Sequence, residues 1–221
     1  ILGEISTFTA TADAALDGGV LTQRFAGPAL TARQANYTIR KTKTDYAAPA
    51  AIPAAPLNIT LPQQVDNSWP RLVFTVSQDA TDSSKPPVAL ALIQDSPRVN
   101  YHVYYAITLV PNAQSPQLAP ASVGAPRLPA DSKLLKIQPN QLATAYADVL
   151  NQDAASQWAA FFLTDGDTLL QQLGKAGQDA IRAQLPANAA INFTASAGSG
   201  PALGLATNDA GAVIAVQVDQ L

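Results

Sequence analysis

The residues able to carry chemistry are few, and their scarcity is informative. His102 is the only histidine of the chain, so any Ser/His/Asp relay would have to use it, and a multi-histidine metal site is excluded. It lies between Tyr101 and Val103 on the polar-alternating side of a strand-like run, and no serine occupies a Gly-x-Ser-x-Gly elbow. His102 is therefore read as structural. Thr164-Asp165-Gly166-Asp167-Thr168 places two aspartates two apart, a spacing that can hold a divalent cation. No ladder of carboxylates follows it, as a calcium loop would need. Just ahead of a helix, Asp165 or Asp167 is instead expected to accept backbone N–H bonds and to complement the helix dipole.

Trp69-Pro70-Arg71 joins an aromatic plane, a rigid turn and a guanidinium at the mouth of a strand. Such a trio can stack a sugar or grip a carboxylate or phosphate. The simpler reading has Trp69 sealing the end of a sheet and Arg71 paired with a local acid. With Tyr37 and Tyr101, these residues form the candidate ligand-binding set: Tyr37, Trp69, Arg71 and Tyr101. Arg24, Arg33, Tyr37 and Arg40 could likewise form a pocket wall between helix and sheet; the simpler reading is a solvated helix face with the tyrosine packed inward. Three Asn-x-Thr matches, at Asn36, Asn58 and Asn192, receive no role. No catalytic residue, cofactor or metal ligand is assigned, and the chain is read as a non-enzyme.

Composition narrows the classes further. At 221 residues the chain can bury a substantial core unaided. Charged residues make up 13% of it, about half the roughly 25% usual in soluble domains. With 13 basic against 16 acidic residues there is no basic face for nucleic acid. Cysteine is absent, which removes disulfide, zinc-thiolate and cysteine-nucleophile chemistry. Methionine is absent too, so Ile1 is read as a processed or fragment end, with any membrane anchor outside these residues. No apolar run approaches the roughly 20 residues of a membrane span. Low charge with abundant Ala, Pro, Thr and Gln is the composition expected of an exported protein from a high-GC bacterium.

The elements that must position these residues follow from punctuation and period. Residues 3–43 read as helices broken at Asp17-Gly18-Gly19 and near Gly27-Pro28, where proline suits a first helical turn. An Ala/Pro-rich connector runs from Tyr46 to Pro56. Strands are expected at Leu57–Leu61, with Leu57, Ile59 and Leu61 facing inward, and at Arg71–Gln78, Val88–Gln94 and Val99–Thr108. A polar turn at Asp79–Lys85 joins the second to the third. No helix separates them, so the sheet is antiparallel. Five prolines between Pro111 and Pro129 mark a tether. Helices are expected again at Pro139–Leu150, Ala154–Phe162 and Asp167–Leu185, then strands at Ile191–Ala197, Pro201–Thr207 and Gly211–Val218.

This order predicts an α+β fold of two similar halves, each with helices packed on an antiparallel sheet. The halves span 1–110 and 138–221, with a Pro-rich linker at 111–137. Setting Leu16-Asp17 on Leu150-Asn151 also sets Thr22-Gln23 on Ser156-Gln157, in keeping with a duplication. The second half lacks a counterpart to Val99–Thr108, so it is expected to be truncated, with its last strand at a sheet edge.

Arg24-Phe25-Ala26-Gly27-Pro28-Ala29-Leu30 with Arg33 and Tyr37, Trp69-Pro70-Arg71, Tyr101 to Tyr105, Tyr146 to Leu150, and Thr207 to Val213 together resemble a family of actinobacterial extracytoplasmic domains carried by membrane proteins and lipoproteins. The resemblance covers most of the chain and brings no activity and no catalytic residue. It implies an envelope-facing location, a membrane-tethered parent and halves similar to the cone-shaped nuclear-transport-factor or cystatin-like fold. The function expected is a non-enzymatic extracytoplasmic module that binds or positions a protein or envelope partner. The alternative is a cone-fold pocket binding or hydrolysing a small lipid or glycan.

Overall fold

The protein is described here from a computed structural model covering residues 1–63, 69–82, 84–110 and 116–221, with the backbone alone at 56–58. It is a mixed α+β chain with antiparallel sheets. Two units can be distinguished, Ile1–Arg127 with Leu205–Val213, and Leu128–Gly204 with Ile214–Leu221. This division is discontinuous, where the sequence suggested contiguous halves at 1–110 and 138–221.

The first unit opens with α1 (Leu2–Ala15), which buries Ile5, Thr9 and Ala12, one face at helical spacing. Leu16 ends it in the left-handed region. Asp17 Oδ1 then accepts the N–H groups of Gly19 and Val20 at 2.9 and 3.3 Å, starting a short 3-10 turn at Val20–Gln23. The break expected at Asp17-Gly18-Gly19 is therefore a capped turn. Helix α2 (Gly27–Thr42) carries Pro28 in its first turn and buries Ala29, Arg33 and Tyr37.

Both helices cover one face of a four-stranded meander, ordered β1 (Pro56–Thr60), β2 (Arg71–Ser77), β3 (Val88–Gln94), β4 (His102–Thr108). Ile5, Leu21, Phe25, Tyr37, Val88, Leu90, Leu92 and Val103 form a continuous core there. Each large apolar side chain so buried contributes roughly 1.5–3 kcal/mol. The turn between β2 and β3 is held by Asp79, which accepts from Thr81 and Lys85, and by Asp82, which accepts from Ser84; Ser83 of that turn lies outside the described residues. The Lys85 ammonium, before the Thr81 hydroxyl and amide, holds the Asp79 carboxyl well below the usual carboxylate range.

Two strand expectations are corrected. In β1, Thr60 is 3% exposed while Ile59 is 44% exposed, the reverse of the predicted faces. A period of two groups alternate residues without saying which group is covered. The pairing of Thr60 with Phe74, and of Phe74 with Ala91, puts Thr60 on the sheet face turned away from the helices. In β4 a bulge pairs Val103 with Leu92 but Tyr105 with Ala91. Val103 and Tyr105 thus face opposite ways, although their spacing suggested one face.

The second unit is built on α3 (Pro139–Gln152). Ala147 and Leu150 pack with Ala195, bordered by Tyr146, Leu170, Leu173 and Val218. The helix expected over Ala154–Phe162 is two 3-10 turns, Asp153–Ala155 and Ala159–Phe161. The one expected over Asp167–Leu185 is split into α4 (Thr168–Leu173) and α5 (Lys175–Arg182) at extended Gly174, where an added Cβ would lie 2.4 Å from the Leu170 carbonyl oxygen.

The later strands also differ from expectation. They are short and divide between two sheets, one ordered β5 (Arg127–Leu128), β7 (Leu203–Ala206), β8 (Ala212–Ala215), the other pairing β6 (Ala195–Ala197) with β9 (Val218–Gln220). The strand predicted at Gly211–Val218 is thus interrupted, and β8 does stand at an edge. Among the described residues a second copy of the four-stranded meander is not built. Residues 111–115 of the expected linker lie outside the described residues, but from 116 onward it is not a tether. Ala125 N–H donates to the Leu61 carbonyl and Gln63 N–H to the Ala125 carbonyl, at 2.8 and 2.9 Å, docking this segment beyond β1.

Candidate functional site

The four candidate residues do not converge. Tyr37 belongs to the helix layer, 1% exposed. Its hydroxyl donates to Asp13 Oδ1 at 2.5 Å, and Arg33 Nη1 donates to both oxygens of the same carboxylate at 2.5 and 2.7 Å. Arg33 Nη2 reaches the Ala50 carbonyl at 2.7 Å, and its guanidinium lies 5.3 Å from the Phe25 ring centroid. This network ties α1, α2 and the Ala/Pro-rich connector together. Burial, and then the hydrogen bond to the Asp13 carboxylate, push the Tyr37 phenol well above its ordinary range. The tyrosine is packed inward as one reading held, but Arg33 is 5% exposed, not on a solvated face. A charge so buried needs its partners, and the network is structural.

Arg71 and Tyr101 do come together. They line a cleft of about 530 Å³ at the head of β2, with Leu61–Gln63, Pro70, Leu72 and Val73 on the sheet side and Ala121–Gly124 and Arg127 on the docked segment. Trp69 stacks on Arg71: its ring centroid lies 4.4 Å from the guanidinium carbon, a cation–π geometry. Arg71 thus has Trp69 as an aromatic partner; Asp66, the acid nearest to it in sequence, lies outside the described residues. Neither Arg71 nor Arg127 has an ion pair with any carboxylate among the described residues.

The wall opposite β2 depends on one backbone conformation. Gly124 has φ +80°, and a Cβ there would sit 3.0 Å from the Gln63 N and Cα atoms. Glycine is required both for the left-handed turn and for the close approach. Residues 121–127 fell inside the expected linker, so Ser122, Val123 and Arg127 went unassigned. Gly124 ahead of Ala125-Pro126 was the one local hint of a turn.

His102 begins β4 in the first unit, whereas Asp165 and Asp167 belong to the second. Asp167 is the N-cap of α4: Oδ1 accepts the Leu170 N–H at 2.9 Å, and Oδ2 accepts the Tyr146 hydroxyl at 2.7 Å. The expected capping role is what the structure shows for it. Among the described residues no group of three or more His, Cys, Asp or Glu is placed to hold a metal, and no helix is long and apolar enough to cross a membrane.

Residues 3–220 match the model of a family described as a domain of unknown function, DUF8094. No curated protein and no solved structure matches the chain.

Proposed function

We propose that this chain, which belongs to the DUF8094 family, is a non-enzymatic extracytoplasmic module of a bacterial cell-envelope membrane protein or lipoprotein, and that it binds or positions a protein or envelope partner. The observation that carries this reading is where space is left in the first unit. The face of the sheet beneath α1 and α2 is filled by Phe25, Tyr37, Leu90 and Val103. The cleft of Arg71 and Tyr101 opens at the head of β2, where Val73 and Tyr101 border that filled core. A ligand-enclosing cone would leave its cavity under the helices; a filled helix layer with a surface cleft suits recognition. The low content of charged residues, 13%, supports export.

Two measurements test the two parts of the proposal. In cells carrying the full native protein, protease added outside intact spheroplasts should remove an epitope fused to the domain; protection until lysis would overturn the extracytoplasmic assignment. The purified domain should leave envelope lipids and glycans chemically unchanged. Turnover that disappears on substitution of one cleft residue would overturn the non-enzymatic part.

A small lipid or glycan as ligand is the second reading, and the arginines and aromatic side chains around the cleft favour it. It shifts the candidate pocket from a cone interior to the head of β2.

A further inference from the structure

We propose that the cleft at the head of β2 binds an amphiphilic organic anion, its phosphate or carboxylate held between Arg71 and Arg127 and its apolar body lying along Leu61, Pro62, Val73 and Val123. The inference rests on the binding-module reading above and names the chemical class that the module takes.

Charge sets the sign of the ligand. Two arginines line the cleft, and among the described residues no acidic one does. The chain as a whole carries a net charge of −3, so the pair is a local concentration against the average, not part of a generally basic surface. Like charges on one cleft repel each other, and an anion placed between them relieves that repulsion. A planar guanidinium also presents paired N–H donors matched to the two oxygens of a carboxylate or phosphate.

The site is also prepared in advance. Stacking on Trp69 at 4.4 Å limits the rotamers of Arg71, which reduces the ordering cost on binding. Four backbone donors of the wall are already spent. The N–H groups of Val123 and Gly124 both reach the Pro120 carbonyl at 2.9 Å, and those of Gln63 and Ala125 close the bridge to the sheet. Side chains add to what the wall offers an anion, with Ser122 and Gln63 as neutral donors beside the arginines.

The apolar part follows from what remains. Leu61 and Val123 are exposed at the cleft, Val123 by 63%, and Pro62, Pro70 and Val73 continue the same lining. An inorganic anion would leave this surface wet, whereas an acyl or alkyl chain would cover it. The volume of about 530 Å³ fits a small organic ligand.

The test is a ¹⁵N-HSQC titration of the intact chain, with calorimetry, using decyl phosphate, decanoate and decyl maltoside below their micelle concentrations, and inorganic phosphate. Decyl phosphate or decanoate should saturate and shift amides within 61–63, 71–73 and 121–127. Preference for one of the two identifies the headgroup chemistry, and both outcomes support the site. Arg71→Gln and Arg127→Gln should each weaken binding about tenfold, the cost of losing one charge-assisted contact. Arg71→Lys, which keeps the charge but not the paired donors, should fall between. Unchanged spectra outside the cleft show that the variants fold. Equal affinity for decyl maltoside removes the electrostatic claim, and equal affinity for inorganic phosphate removes the apolar one. Binding unaffected by either arginine overturns the site. The ligand resonances read the other hypothesis separately: release of decanol and phosphate would overturn the non-enzymatic reading while leaving the binding site in place.

Discussion

Gly27 shows how much one residue can decide. It heads α2 with φ +53°, and a Cβ built on it would lie 2.4 Å from Cζ of Tyr104. Tyr104 in turn packs edge-on against Tyr105, ring centroids 5.3 Å apart, so its ring is not free to move aside without loss. Gly27→Ala should cost about 2–4 kcal/mol, combining left-handed strain with overpacking. In a Tyr104→Ala background the steric part vanishes, and the same change should cost only about 1–2 kcal/mol. Urea unfolding of the four proteins in the cycle checks this; equal costs in both backgrounds would mean that Tyr104 does not set the requirement. The sequence marked Gly27-Pro28 as a helix start, but the tyrosine that excludes a side chain is distant in the chain, and no local pattern announces it.

Among elements, the short α4 depends on its cap. Asp167 satisfies the Leu170 N–H and also receives the Tyr146 hydroxyl, joining α4 to α3. Asp167→Ala should cost about 1–2 kcal/mol and speed hydrogen exchange at Leu170; exchange at the wild-type rate would show the cap to be dispensable. This role was legible, because an aspartate directly ahead of an apolar run is a helix-start signal whatever surrounds it. The docking of residues 121–125 beyond β1 was not. It pairs segments far apart in sequence through two backbone hydrogen bonds, which carry no side-chain period. Gly124→Ala should disturb that docking, costing about 1–3 kcal/mol. It should also broaden or shift the amides of Leu61 and Gln63 while α3 is unaffected. A variant with wild-type spectra at 61–63 would show the close approach to be unimportant.

For the molecule as a whole, alkaline stability brings several buried phenols together. Burial first, then the Asp13 carboxylate for Tyr37 and the Asp167 carboxylate for Tyr146, push both hydroxyls well above their ordinary range. Burial, and then the neighbouring Tyr104, push Tyr105 up to about 12. A folded-state value above the unfolded one means that the native state keeps a proton which the unfolded chain has lost. The resulting stabilisation is therefore complete below pH about 10, the unfolded tyrosine value, and is lost as pH rises from there through the folded values. Unfolding free energy should decline above pH 10 by about 1.4 kcal/mol per pH unit for each phenol still protonated in the fold. Tyr37→Phe should make that decline shallower. A flat profile to pH 11, or the same slope in the variant, would contradict the assignment.

The sequence by itself determined the α+β class, the strands of the meander and the breaks between the first helices. These rest on periodicity and on glycine, proline and aspartate punctuation, which act over a few residues. It also placed Arg71 and Tyr101 beside strands and Asp167 at a helix start. Tertiary structure alone decided which side of β1 is buried, that Tyr37 and Arg33 serve the helix layer, and that Arg127 shares a cleft with Arg71. It likewise decided that Leu205–Val213 belongs with the first unit and that the later strands form two small sheets. The physical reason is common to these cases. Burial and strand pairing between remote segments are chosen by the summed packing of the folded chain, and a residue's type and its neighbours in sequence constrain that choice only weakly.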